Sequence, residues 1–170
     1  LTKADMFFRI KKIKGKEYIY IVENEWAKNG SRQKVKGYIG RAYRFELKSD
    51  VDFIGHLKIE NVNDFIGNND FKKIIMQLVC WELFKFGVDK EKFSIDLENL
   101  KIEKNKKNVA ILINDGYLCG HTLKNLIGFK AENDEQNDGY RLARAFVESG
   151  IKVPQDVFVA LFGKLYKEKC

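Results

Sequence analysis

The chain has 170 residues, of which 45% are hydrophobic and 13% aromatic, and its formal net charge is +7 at pH 7. This apolar content suffices for a packed core and excludes an intrinsically disordered chain. The most apolar stretch, residues 74–86, is too short and too often interrupted by polar side chains to cross a bilayer. Three widely spaced cysteines (Cys80, Cys119 and Cys170) form no CxxC pair, and no signal peptide precedes them, so we expect free thiols in a cytoplasmic protein.

Positive charge is concentrated at the start of the chain. Residues 1–48 hold thirteen Lys and Arg against five Asp and Glu, a net charge of +8, whereas the other 122 residues hold eighteen bases and nineteen acids. A localised positive field attracts phosphates or anionic lipids. No amphipathic helix carries these bases, so we expect no membrane partner.

Three strand-like runs open the sequence. Residues 6–13 and 17–24 alternate between apolar and polar side chains, and Lys14-Gly15-Lys16 supplies a turn between them. A second turn signal at residues 28–31 precedes the third run, residues 32–39. The sequence therefore predicts an antiparallel sheet of three strands within residues 1–48.

Alternation along these strands predicts two faces. We expect an inward face made of Phe8, Ile10, Ile19, Ile21, Val35 and Ile39. The opposite face would carry Arg9, Lys11, Tyr18, Tyr20, Lys34, Lys36 and Tyr38. An error of one residue in the register would exchange the two sets.

The remaining residues, 49–170, are predicted to form a mixed and mostly helical domain. Expected helices cover residues 70–86, 122–127 and 139–149, with another from Pro154 onward, and strands are expected within 93–103 and at 109–113. The predicted fold class is α+β: an N-terminal three-stranded antiparallel sheet followed by a mainly helical body with a few short strands.

The basic, tyrosine-rich sheet face is the candidate functional site. Lys and Arg neutralise phosphates, and exposed aromatic rings stack on bases. The predicted nucleic-acid contacts are Arg9, Lys11, Tyr18, Tyr20, Arg32, Lys34, Lys36, Tyr38, Arg41 and Arg44. The alternative reading is a solvated face on which tyrosines cover the aliphatic stems of lysines. We predict a nucleic-acid-binding protein without catalysis or cofactor.

The pattern FFRIKKIKGKEYIYIVENEW…NGSRQKVKGYIGR resembles the N-terminal basic β-hairpin region of many prokaryotic transposases and related archaeal and bacterial proteins. The residues that match its loose form are Lys11, Lys12, Gly15, Lys16, Tyr18, Tyr20, Val22, Gly30, Arg32, Lys36, Tyr38, Ile39 and Gly40. The resemblance covers about a quarter of the chain. It implies a DNA-associated module and favours DNA over RNA. No Asp-Asp-Glu nuclease domain follows, so the resemblance does not imply transposase activity.

A metal-dependent nuclease or another phosphodiester enzyme is an alternative function. Such enzymes need carboxylates that converge on one cation. Two sets of side chains could supply them: Asp50, Asp52 and His56, or Asp134, Glu135 and Asp138. Neither spacing matches a named metal motif, so no metal ligand is predicted.

Two further alternatives remain. Cys119 and His121 could form a nucleophile and base, although two residues two positions apart rarely face each other. The second half of the chain could instead dock a protein partner while the basic sheet anchors it to nucleic acid.

Overall fold

A computed structural model describes residues 6–167; Lys3, Asp5 and Cys170, which entered the counts above, lie outside them. The strands are β1 (Met6–Ile13), β2 (Lys16–Ala27), β3 (Gly30–Arg44), β4 (Ser94–Asp96), β5 (Lys101–Lys104), β6 (Lys107–Ile113) and β7 (Gly116–Leu118). The helices are α1 (Phe53–Leu57), α2 (Val62–Asn68), α3 (Phe71–Lys85), α4 (Gly120–Ile127), α5 (Glu135–Glu148) and α6 (Gln155–Lys167). None of these helices is long and apolar enough to cross a membrane.

The first three strands form the expected antiparallel meander. β1 pairs with β2 and β2 with β3. Lys14 and Gly15 form the two-residue turn between β1 and β2 with φ of 51° and 79°, the combination that a type I′ hairpin requires. The three predicted strands and their turns are confirmed.

The sheet does not end at β3. β3 continues beyond the predicted residue 39 to Arg44 and pairs in parallel with β6, from Arg41 opposite Val109 to Arg44 opposite Leu112. The strand order is β1-β2-β3-β6-β5-β4, and β7 also pairs with β6. The mixed α/β class is confirmed, but the meander is part of a seven-stranded mixed sheet and not a sheet of its own.

Gly40 permits the close approach of β3 and β6. Its φ is +145°, and a Cβ at this position would lie 2.1 Å from the carbonyl oxygen of Asn108. Only glycine fits such a contact, because any side chain would force the strands apart.

The sheet is strongly curved. Four inter-strand steps separate β1 from β7, which in a flat sheet would place them about 19 Å apart. The rings of Phe8 in β1 and Tyr117 in β7 are nevertheless 4.8 Å apart. The concave side holds a small core of Ile19, Ala42, Ala110, Leu112 and Cys119, against which Phe8, Ile10, Ile39 and Tyr117 pack. Four of the six side chains predicted to face inward therefore belong to this core, and Ile21, directly opposite Phe8, lies on the same side.

All six helices pack on the other side of the sheet, over β6 and the end of β3. Val109, Ile111 and Ile113 point from β6 into this larger core. The helix α3 lies at its centre, as its apolar character predicted, and Asp70 caps it by accepting a hydrogen bond from the backbone N–H of Lys73 at 2.7 Å.

Parts of the helical body differ from the prediction. The single strand expected within residues 93–103 is the hairpin arm β4 followed by β5, which pair antiparallel. α5 begins at Glu135, four residues before the predicted start, because Asp134 is its N-cap. Residues 49–70, for which no element was predicted, form α1 and α2, so the body holds six helices where about four were expected.

Candidate nucleic-acid interface

Two β-bulges in β3 divide the predicted site between the two sides of the sheet. Ile19 pairs with Gly40, but Tyr20 pairs with Tyr38, so one residue of β3 is left over between them. A second residue is left over between Gly37, opposite Ile21, and Val35. Each bulge shifts the alternation of β3 by one position. The prediction that Lys34 and Lys36 share a face with the tyrosines is therefore wrong, as is the inward position of Val35.

Four of the ten predicted contacts lie on the side of the sheet that carries the carboxylates of β2. Lys34 is 3.2 Å from Glu25, and Lys36 is 2.9 Å from Glu23. Arg32 is directly opposite Glu25. The Glu23 carboxylate raises the pKa of Lys36, and both Lys34 and Lys36 are ion-paired with a carboxylate.

Arg44 belongs to the same group. Its Nε and Nη2 donate to the two carboxylate oxygens of Glu17 at 2.6 and 3.1 Å. This bidentate pair lowers the pKa of Glu17 and raises that of Arg44. The side of the sheet that carries Glu17, Glu23 and Glu25 is here called the acid-paired face.

The other six predicted contacts share the opposite side, here called the aromatic–basic face: Arg9, Lys11, Tyr18, Tyr20, Tyr38 and Arg41. Directly opposed residues lie on one side of a sheet. Arg9 faces Tyr20, Lys11 faces Tyr18, and β3 adds the other two. Lys16, which sequence reasoning did not select, joins this face because it pairs with Ile13.

A cation and two rings form a row across three strands of this face. Lys11 Nζ lies 4.8 Å from the centroid of the Tyr20 ring, and that centroid is 5.0 Å from the centroid of the Tyr38 ring. Tyr38 is 57% exposed, so its ring is open to a ligand. Partial burial, with the neighbouring Tyr20 and Tyr18 hydroxyls, raises the pKa of Tyr38.

Arg9 lies at the outer end of the aromatic–basic face. Its Nη1 donates to the side-chain carbonyl of Gln33 at 3.1 Å, although β2 runs between the two strands. The register places Val22 beneath this bridge, and Val22 is fully buried although it lies on the aromatic–basic face. Arg9 remains exposed at the surface.

Arg41 extends the row towards the helical core. Its guanidinium carbon lies 4.7 Å from the Tyr43 ring centroid, and Lys104 Nζ approaches the same ring at 4.6 Å. The Nε of Arg41 is buried and has no acceptor among residues 6–167. Unlike Arg44, Arg41 has no carboxylate within 4.0 Å in this part of the chain.

A cavity of about 390 Å³ opens beside Tyr38, between β3, β5 and the start of α4. Lys101, Lys124 and His121 line it, and none of its lining residues is an Asp or Glu. Positive character therefore continues from the sheet to the helical side of the molecule.

Sequence reasoning also missed Trp26, the most exposed large hydrophobic residue in the described chain, with 86% of its surface accessible. Trp26 follows Tyr18 and Tyr20 on β2 at even spacing, so it lies on the same side of the strand. This periodicity was visible in the sequence, but the predicted strand ended at residue 24.

Both acidic sets of the nuclease hypothesis contain residues that serve as helix caps or in internal hydrogen bonds. Asp52 is the N-cap of α1 and accepts from Gly55 N–H at 2.7 Å, while His56 packs on the Phe84 ring with centroids 4.8 Å apart. Asp134 caps α5. Within residues 6–167, no three His, Cys, Asp or Glu side chains are grouped to hold a metal ion.

Asp138 of the second set is buried. It accepts hydrogen bonds from the Tyr166 hydroxyl at 2.5 Å and from Arg141 at 2.9 Å. The bond from Tyr166, together with that from Arg141, lowers the pKa of Asp138, while burial and the bond to Asp138 raise the pKa of Tyr166 to about 12. This network joins α5 to α6.

Cys119 and His121 point to different neighbours. Cys119 is buried beside Thr122, with Sγ 3.6 Å from the Thr122 hydroxyl oxygen, and burial raises the pKa of the thiol. His121 packs edge-on against Phe8, and burial lowers the pKa of its imidazole. Raising a thiol pKa opposes formation of the thiolate that catalysis needs.

No protein-family model matches this chain, and neither a curated protein nor a solved structure shows significant similarity to it.

The fold and the site define a mixed α/β protein whose curved sheet separates a basic, tyrosine-bearing face from a face on which carboxylates neutralise bases.

Proposed function

We propose that this protein binds nucleic acid without catalysis, through the aromatic–basic face of its sheet. One observation carries the proposal: Glu17, Glu23 and Glu25, the only acids in β1, β2 and β3, all lie on the acid-paired face. Within residues 6–167, the bases Arg9, Lys11 and Arg41 of the aromatic–basic face form no ion pair with a carboxylate. The resemblance of residues 6–44 to transposase hairpins favours DNA over RNA.

The chemistry of the face suits a polyanion with flat bases. Arg9, Lys11 and Arg41 can neutralise phosphates, which yields affinity that depends steeply on salt and weakly on sequence. Tyr20 and Tyr38 can stack on bases, and such contacts contribute about 1–3 kcal/mol per base. A purely solvated face would provide the charges without any such stacking.

Fluorescence anisotropy with labelled duplex DNA, single-stranded DNA and RNA across a salt series tests the proposal. We expect the logarithm of the affinity to fall linearly with the logarithm of the salt concentration. The nucleic acid with the highest affinity then defines the ligand class. If none of the three binds at low salt, the proposal is wrong.

A pair of double variants assigns binding to a face. Arg9→Gln with Lys11→Gln removes two positive charges from the aromatic–basic face. Lys34→Gln with Lys36→Gln removes the same charge from the acid-paired face, so both variants have the same net charge. We expect only the first to weaken binding and to reduce the salt slope, by about 1.4 for a single strand. Equal losses in both variants would mean that net charge alone, and not this face, drives binding.

A further inference from the structure

The β2–β3 hairpin ends in an exposed tip. The described pairing of β1 with β2 runs from Met6 opposite Glu23 to Ile13 opposite Lys16. β2 and β3 pair over the residues of the tip, from Asn24 opposite Gln33 to Ala27 opposite Gly30. All residues from 24 to 33, here called the arm, are exposed.

Packing does not account for Trp26 in this arm. Its 86% exposure contrasts with Trp81, which is 5% exposed and donates its indole N–H to the Val51 carbonyl at 2.8 Å. Large aromatic side chains normally bury most of their surface, and exposed ones are enriched at interaction sites. An indole that is 86% exposed adds little apolar burial to the fold.

The charges of the arm favour an anionic partner. Its acid Glu25 is ion-paired with Lys34. Lys28, in the turn, and Arg32 have no carboxylate within 4.0 Å in the described chain. Lys28 therefore adds an unpaired base next to the exposed indole, whereas Arg32 lies opposite Glu25 on the other side of the ribbon.

We propose that the arm binds single-stranded nucleic acid by stacking an unpaired base on Trp26. The proposal rests on nucleic-acid binding by the aromatic–basic face and specifies its ligand. Trp26 comes six positions after Tyr20, a distance of about 20 Å along a strand, and both side chains lie on one side of β2. One extended strand can thus contact both, whereas duplex bases are stacked on each other and do not present their faces.

The two tryptophans provide a direct test, because the chain contains only these two and just one is exposed. Oligo(dT) of about twenty nucleotides, long enough to span both aromatic sites, should quench the emission of the native protein and shield it from acrylamide. In Trp26→Phe only the buried Trp81 emits, so the same ligand should leave emission unchanged.

Binding affinities complete the test. Trp26→Ala should weaken oligo(dT) binding about tenfold, Trp26→Phe should retain most of the affinity, and duplex binding should change less than twofold, as stacking on a single base predicts. Tyr140→Ala is the matched control, because Tyr140 is 68% exposed but lies on α5; it should bind as the native protein does.

Distinct results separate this proposal from the previous one. If oligo(dT) binds and Trp26 emission and accessibility stay unchanged, the arm is not in contact and only this inference is wrong. Equal quenching and equal loss of affinity with duplex would also overturn stacking on an unpaired base. If no nucleic acid binds and Trp26 emission changes with protein concentration, the arm joins two copies of the chain and both proposals are wrong.

Discussion

The exposed ring of Tyr38 offers a test in which binding and stability should separate. Tyr38→Ala removes a ring that is 57% exposed and whose main aromatic contact is Tyr20, 5.0 Å away. Losing that pair should lower the free energy of unfolding by about 1 kcal/mol. Losing a base that stacks on Tyr38 should cost about 1–3 kcal/mol, a 5- to 150-fold weaker affinity for single strands.

Anisotropy titration and urea unfolding of the same preparation measure both effects. Tyr38→Phe should retain the affinity, because stacking needs the ring and not the hydroxyl. Burial raises the pKa of Tyr38, so its hydroxyl should stay protonated at neutral pH and add no phenolate repulsion to binding there. A Tyr38→Ala protein that binds single strands as tightly as the native protein would refute the role of this ring.

Two further predictions concern the fold. Gly40→Ala should lower the free energy of unfolding by at least about 3 kcal/mol, because its Cβ meets Asn108 and its φ is positive, whereas Gly37→Ala, whose nearest contact is at 3.9 Å, should be tolerated in the same urea titration. Burial raises the pKa of Glu82, so the folded state holds this proton more tightly and stability should fall as pH rises above the ordinary value of 4.5; Glu82→Gln should remove that fall. Glu82→Ala should cost about 3–5 kcal/mol at pH 7, because Lys85 is then buried without its carboxylate, and a loss below 1 kcal/mol would contradict this.

Local patterns predicted the elements whose signals are contained in a few neighbouring residues. Turn residues and alternation located β1 and β2, and a capping Asp70 with an apolar stripe located α3. The parallel pairing of β3 with β6 joins residues more than sixty positions apart. No local pattern encodes that pairing, so the seven-stranded sheet could not be derived from the sequence.

The same distinction explains the outcome for the site. On β2 the alternation is regular, and the sequence alone places Tyr18 and Tyr20 on one side and the carboxylates on the other. On β3 two bulges interrupt the alternation near Gly37 and Gly40, where an absent side chain permits the irregular backbone. A glycine in the sequence does not show how many residues a bulge adds. The side chains of β3 beyond the bulges were therefore assigned to the wrong faces.

The bulges also change how the positive charge of the first 48 residues is distributed between the two faces of the sheet. With unbroken alternation, Lys34 and Lys36 would lie beside Tyr38 and add their charge to that face. The observed register sends both lysines to Glu23 and Glu25, where the ion pairs are local. Fewer bases then remain on the aromatic–basic face, and those of the described chain form no ion pair with a carboxylate. The proposed binding face is therefore defined by the positions of the carboxylates, which a net charge cannot reveal.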